Sequence, residues 1–241
     1  MISNSQKKHV VSLKQKKFRT AHQSFVVEGV KMVEELLLAD YVIESIYATS
    51  NWMDENPEVV CTEVSEKELG QLSSLKTPNQ VLAVVKQKEF ELTELSSKLS
   101  IAVDKLQDPG NLGTIIRTAD WFGVDTIICS KDSVDIYNPK VLQATMGSFF
   151  RVNIIYVNLI DFFGDNKELT VYGALLDGEN VYQKDLNING SVLLMGNESK
   201  GISEELLPFI TEKLLIPNFG KAESLNVATA TAILCSEFKR K

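Results

Sequence analysis

Histidine is confined to the start of this 241-residue chain, at His9 and His22, and cysteine occurs only at Cys61, Cys129 and Cys235. Each shortage excludes a class of chemistry. A Ser-His-Asp hydrolase built within residues 101–241 lacks its base. Three scattered cysteines without a CxxC pair give neither a disulfide framework nor a zinc site, so buried thiols in a reducing compartment are expected. No apolar run approaches the roughly 20 residues that span a bilayer, and the N-terminus lacks the apolar core of a signal peptide. A cytoplasmic protein is the expectation. No GxGxxG follows a strand-like run, which disfavours a dinucleotide-dependent oxidoreductase. "MGNESKGIS", residues 195–203, places two glycines five apart behind the run Val192-Leu193-Leu194. Ile202 follows Gly201, however, where a phosphate loop needs lysine. The missing lysine disfavours a triphosphate site, and the loop needs another explanation.

Hydrophobic residues make up 44% of the chain and charged residues 24%, enough to bury a core. The net charge of −7 argues against a general nucleic-acid binder, yet it is unevenly spread. Residues 1–22 hold Lys7, Lys8, Lys14, Lys16, Lys17 and Arg19 with no acidic residue. A basic arm on an acidic body suits contact with a phosphate backbone; a solvated terminus explains it equally well.

Two blocks follow from the periodicity. Residues 1–86 alternate short elements: strands at 24–27, 42–47, 59–64 and 81–85, a helix over 28–38, and a helix from Ser65, whose capping box with Glu68 runs it to about Leu75. Residues 87–100 are polar and are expected to form a linker containing a short helix. Residues 101–241 alternate strand (101–104, 126–130, 152–157, 170–175, 192–195, 213–216) with helix (112–122, 139–146, 158–164, 204–210, 225–240). Such alternation implies a mainly parallel sheet covered by helices, with ligands at the carboxyl ends of its strands.

Three loops at those ends carry unusual chemistry. In "DPGNLGTIIRTADWFG", residues 108–123, Asn111 is expected to cap a helix whose apolar stripe is Leu112, Ile115, Ile116, Ala119 and Phe122. Arg117 lies off that stripe. Gly196-Asn197-Glu198 and Gly201 offer backbone groups without strong positive charge, and Ser203 is expected to cap the next helix. In "IPNFGKAESLNVATATA", residues 216–232, Pro217 ends a strand, Gly220 permits a bend and Ser224 is expected to cap the last helix. Each loop alone is also explained as an ordinary strand-to-helix turn.

Together and in this order, Asn111-x-Gly113 with Arg117-x-Ala119, Gly196-Asn197-Glu198 with Gly201, and Ile216-Pro217, Gly220 and Ser224-Leu225-Asn226-Val227 resemble the motifs of the SpoU (TrmH-like) family of RNA ribose 2′-O-methyltransferases. "NPKVLQATMGSFFRV", residues 138–152, resembles that family's middle segment, and "FVVEGVKMVEELL", residues 25–37, its substrate-binding domain. The chain departs at Asn218, where the family often has methionine, and at Gln143, where arginine is common.

The resemblance implies an α/β fold: a C-terminal trefoil-knotted SPOUT methyltransferase domain, residues 101–241, behind a smaller N-terminal α/β RNA-binding domain. It also implies a homodimer, S-adenosylmethionine as cofactor, and methylation of a ribose hydroxyl in ribosomal RNA. Transfer RNA as substrate and a non-catalytic RNA-binding module are the alternatives. Arg117 would be the catalytic residue, supported by Asn111, Glu198, Ser224 and Asn226. The cofactor would lie among Leu175, Met195, Gly196, Asn197, Gly201, Ile216, Pro217, Ser224 and Leu225. Lys14, Lys16, Lys17, Arg19, Lys140 and Arg151 would grip RNA, and no metal is expected.

Overall fold

A computed structural model describes residues 2–90, 95 and 98–240. The short helix expected within the 87–100 linker falls on residues outside those described. The chain divides into two compact units, Met1–Glu89 with Asp135–Phe150, and Phe90–Val134 with Arg151–Lys241.

In the first unit a four-stranded mixed sheet has β1 (Ser24–Glu28), β4 (Val81–Lys86), β2 (Ile43–Ala48) and β3 (Thr62–Glu63) side by side. β4 runs antiparallel to both β1 and β2. Helices α3 (Val30–Leu37), α4 (Ser50–Glu55) and α5 (Glu66–Leu72) join the strands. The Ser65–Glu68 capping box forms as expected, with Ser65 Oγ accepting from Glu68 N and the Glu68 carboxylate from Ser65 N.

The basic segment is no free arm. It folds into α1 (Asn4–Ser12) and α2 (Lys16–His22). Ile2, Val10 and Leu13 pack with Val26, Leu69, Leu72 and Leu82 in one apolar cluster. Its few apolar residues, interleaved with lysines, hid that helical face.

Asp135–Phe150, assigned by sequence to the second block, belongs to this first unit. Its helix α7 (Pro139–Thr145) is tied to β1, because Gln143 Nε2 donates to the Glu28 carbonyl at 3.0 Å. Phe149 contributes to an aromatic cluster with Phe25, Tyr41 and Tyr137. Aromatic burial of this kind is a large apolar contribution, and it is invisible to periodicity because the partners are distant in sequence.

The second unit is the expected parallel sheet. Six strands lie in the order β10 (Glu212–Leu215), β8 (Thr170–Asn180), β9 (Ser191–Met195), β5 (Leu99–Val103), β6 (Thr126–Ser130) and β7 (Asn153–Val157), all parallel. Their short buried runs suit strands covered on both faces. Helices α6 (Pro109–Trp121), α8 (Leu159–Asp165) and α9 (Val227–Lys239) return the chain between or after them. The helix expected over 204–210 is a 3-10 segment, Glu204–Phe209, with Pro208 inside it. Proline removes a donor there, which disfavours an α-helix.

Candidate functional site

The three motif loops leave the carboxyl ends of β5, β9 and β10, and the first and third lead into α6 and α9. Both helices start differently from the sequence expectation, and the difference builds the site. Asp108, not Asn111, caps α6: its Oδ1 accepts from Asn111 N at 2.8 Å, with Pro109 at the first helical position. The Asn111 side chain is thereby released from capping. Likewise Asn226, not Ser224, caps α9, with Oδ1 accepting from Ala228 N at 3.0 Å and Thr229 N at 3.2 Å. Ser224 sits exposed in the preceding loop.

A directed chain of hydrogen bonds follows. Because Asn226 Oδ1 is committed to the helix, its Nδ2 is left to donate, and it reaches Asn111 Oδ1 at 2.9 Å. Asn111 accepts with its oxygen, so its Nδ2 donates onward to Glu198 Oε1 at 3.0 Å. The same oxygen accepts from Asp108 N at 3.2 Å. Asn197 Nδ2 reaches Glu198 Oε2 at 3.2 Å and the Lys105 carbonyl at 2.7 Å. Glu198 is thus an acceptor surrounded by donors, and all three loops end on one network.

The glycine loop explains itself without a phosphate. Asn197 and Gly201 exchange backbone bonds at 2.9 and 3.0 Å. Asn197 Oδ1 takes the N–H groups of Ser199 and Lys200. The donors a phosphate would need are already used. Gly201 adopts φ +68°, which favours glycine. At Gly196 a Cβ would lie 2.2 Å from Gly201 C, so glycine is required there by the loop's own closure rather than by a ligand's approach.

Other expected residues scatter. Met195 is 2% exposed at the end of β9, and its carbonyl accepts from Asp104 N at 2.9 Å. Leu175 packs against the core cluster of Ile128, Leu159 and Val192. Ile216 and Pro217 are half-buried, whereas Leu225 is 48% exposed beside Asn226. Arg117 is exposed on α6 and has no hydrogen bond or ion pair among the described residues. Six positions beyond Asn111, it stands about 9 Å further along the helix axis and about 120° round it. The structure does not join it to the Asn226–Asn111–Glu198 chain.

The basic residues divide sharply. Arg19 was expected at an RNA surface but is 3% exposed. Its Nε and Nη2 donate to Asp135 Oδ2, and its Nη1 donates to the Leu13 and Lys14 carbonyls. Every nitrogen is used internally, so it is a structural residue. Lys14 Nζ donates to the Ser73 carbonyl at 2.6 Å, just beyond the end of α5. Arg151 forms a paired contact with the Asp120 carboxylate. Lys16, Lys17 and Lys140 are exposed, and Lys17 Nζ lies 4.7 Å above the Phe18 ring.

The sequence reading missed two contributors, Asp108 and Lys105. "DPGN" signals a helix start with proline at its first position, so Asp108 was recoverable. Nothing local marks Lys105.

Comparison with known proteins agrees with this layout. A model of the SpoU rRNA methylase family matches residues 98–236, and one of an MRM3-like substrate binding domain matches residues 4–83. The chain is similar to the 23S rRNA (guanosine(2553)-2'-O)-methyltransferase RlmP of Bacillus subtilis (strain 168), with 34% identity over 96% of this chain and 94% of that protein. Among solved structures, a TrmH-family chain from Porphyromonas gingivalis superposes with TM-score 0.90 at 37% identity, over 99% of this chain and 98% of that one. An AdoMet-bound rRNA methyltransferase from Sinorhizobium meliloti superposes with TM-score 0.90 at 30% identity, covering 99% and 95% of the two chains. With its motif loops meeting on one network and its whole length matched, the chain belongs to the SpoU rRNA methylase family.

Proposed function

We propose that this protein is an S-adenosylmethionine-dependent RNA methyltransferase that methylates a ribose 2′-hydroxyl in ribosomal RNA. The observation that carries the reading is the Asn226–Asn111–Glu198 chain, which fixes three loops distant in sequence around one carboxylate. Full-length similarity to RlmP, a 23S rRNA 2'-O-methyltransferase, supports the substrate class.

The residues present fit the cofactor. The loops lack a lysine where a phosphate would need one, and they supply an acceptor at Glu198 together with the half-exposed apolar side chain of Leu225. The 196–201 and 216–226 loops would hold S-adenosylmethionine, as the bound cofactor of the Sinorhizobium meliloti relative supports. When bound, that group supplies a methyl made electrophilic by its sulfonium.

The chain's own residues then have to position a ribose hydroxyl and stabilise the charge left as its proton departs. Arg117 is suited to the second task. A guanidinium stays protonated at neutral pH and has no acceptor, so it orients a neighbouring phosphate and stabilises alkoxide charge rather than removing the proton. Without a partner among the described residues, it is available to substrate. The Asn226–Asn111–Glu198 chain holds the loop geometry on which that positioning depends.

The family resemblance further assigns the second unit a trefoil knot, with domains 1–86 and 101–241 around a linker, and a homodimer with its active site near the subunit contact. Lys16, Lys17 and Lys140 are left to bind RNA phosphate. The three cysteines are free, which suits the cytoplasm.

Transfer of labelled methyl to purified ribosomal and transfer RNA, followed by alkaline digestion, tests the function. A 2′-O-methyl group blocks alkaline cleavage, so label in resistant dinucleotides from ribosomal RNA is expected. Label released wholly in mononucleotides would place the methyl on a base and reject the reading.

A further inference from the structure

A cavity of about 340 Å³ opens at the carboxyl ends of β5, β6 and β7. It adjoins the motif network through Lys105 without including its core: Asp104, Lys105, Lys131, Asn158, Ser203 and Glu205 line it, and Asn111, Arg117, Glu198 and Asn226 do not. In open parallel sheets this crevice is where ligands gather, and its size falls at the small end of small-molecule sites.

Two features show what it would take. Asp104 is 2% exposed, and its Oδ2 accepts from Ser203 N at 2.8 Å. Oδ1 has no partner among the described residues. That oxygen keeps an open acceptor position on the cavity wall, which a ligand hydroxyl can fill. Lys105 is a non-glycine residue at φ +50°, a conformation L-residues rarely adopt. It is held there from both sides. Its N–H donates to Ser130 Oγ at 2.8 Å, and its carbonyl accepts from Asn197 Nδ2 at 2.7 Å. The strained backbone sets Lys105 on the cavity wall, two residues beyond the Val103–Cys129 pair as Lys131 is on the neighbouring strand, and neither exposed lysine side chain has a partner among the described residues. Strain of this kind persists where surrounding structure over-determines it, commonly at ligand sites.

Three carboxylates (Asp104, Asp132 and Glu205) and two lysines line the cavity. The lining sums to −1, so an anion is accepted only locally at the two lysines while hydroxyls face the carboxylates, a division that a phosphodiester next to a ribose matches and a multiply charged anion does not. We propose that the cavity is a ribonucleotide site, with a ribose hydroxyl on Asp104 and a phosphodiester between Lys105 and Lys131. Resting on the RNA-methyltransferase reading, it assigns the cavity to a nucleotide flanking the methylated one, because the Lys105 carbonyl and Asn197 tie its wall to the motif loop.

Titration of the full chain by amide NMR tests this, with an octaribonucleotide, the deoxyribonucleotide of the same sequence, and 5′-AMP as probes. The ribo-octamer is expected to shift the Lys131 and Asn158 amides, and the deoxy-octamer only at concentrations about tenfold higher, since it lacks the 2′-hydroxyl. Lys131→Glu should weaken the ribo-octamer about tenfold. Asp104→Asn, which keeps an acceptor for Ser203 N, should abolish the ribo/deoxy difference while the rest of the spectrum stays folded. Shifts from 5′-AMP, whose phosphate carries a second charge, with none from the octamer would overturn the RNA site in favour of a free nucleotide. Equal shifts from both octamers, or none from any probe, would overturn the site. Methyl transfer measured on the same samples separates the two claims: cavity shifts without methylation would sink the enzymatic reading and leave the site standing.

Discussion

Asn226 and Asn111, 115 positions apart, meet side chain to side chain, with Nδ2 of the first donating to Oδ1 of the second at 2.9 Å. The direction is forced by the α9 cap, which occupies Asn226 Oδ1. Polarity therefore runs from a helix N-terminus through Asn111 to Glu198. Asn111→Asp would replace the donor facing Glu198 by a second carboxylate. Loss of one charge-assisted bond is worth about 1.5–3 kcal/mol. Methyl transfer is expected to fall roughly ten- to hundredfold, with the melting temperature lower by several degrees because the lost bond also holds the folded loops together. Unchanged turnover in the folded variant would remove this chain from the catalytic geometry.

Arg117 is exposed and has no partner among the described residues, so its removal strands no buried group there. Arg117→Ala is expected to abolish methyl transfer while calorimetry shows S-adenosylmethionine affinity largely kept. Arg117→Lys should restore little, because a single ammonium cannot reproduce the planar fork. Loss of cofactor binding in the alanine variant would make Arg117 structural.

The strands of the second unit were largely legible because a buried parallel sheet writes itself as short apolar runs. Thr126–Ser130, for example, is a strand over its full expected length. The caps were misread for an equally local reason. Asn111 and Ser224 are good capping residues, but Pro109 moved the start of α6 to Asp108, and Asn226 outcompeted Ser224 two positions later. The Asn226–Asn111 bond could not be foreseen, since it requires both caps to be right and two distant loops to meet. The placement of Arg19 was equally hidden. A lysine-rich stretch reads as a surface, and only the fold reveals Asp135 opposite it.

That pair yields a direct contrast. Arg19 and Asp135 lie 2.6 Å apart and largely out of solvent. Breaking a buried pair strands its partner and costs about 3–5 kcal/mol. Arg19→Met should lower the denaturation midpoint by that amount while RNA affinity, measured where the variant is folded, changes little. A variant of full stability with weakened RNA binding would return Arg19 to the surface role.

Acid should loosen the contact between α1 and α5. Lys7 and the Ser65 backbone N–H hold the Glu68 carboxyl down at about 2. Its folded value lies below the unfolded one of 4.5. The contribution is therefore complete above the unfolded value and is lost as pH falls from there through about 2. Melting temperatures of the wild type and Glu68→Gln should differ at pH 6 and converge towards pH 2. A gap that does not narrow would mean the ion pair contributes nothing.

RNA binding should fall with salt, but less steeply than the count of basic residues in the first 22 positions suggests. Arg19 is internal, Lys7 pairs with Glu68, and Lys14 is bonded to the Ser73 carbonyl. Lys8, Lys16, Lys17 and Lys140 remain exposed. Each phosphate neutralised on a single strand contributes about −0.7 to the slope of log K against log salt. Four such contacts give a slope of about −3. Lys16→Glu with Lys17→Glu should weaken binding at low salt and flatten that slope, with the fold unaffected because neither side chain is buried. If the double variant keeps the wild-type slope, the RNA grip lies outside α2 and the exposed lysines there are only a solvated face.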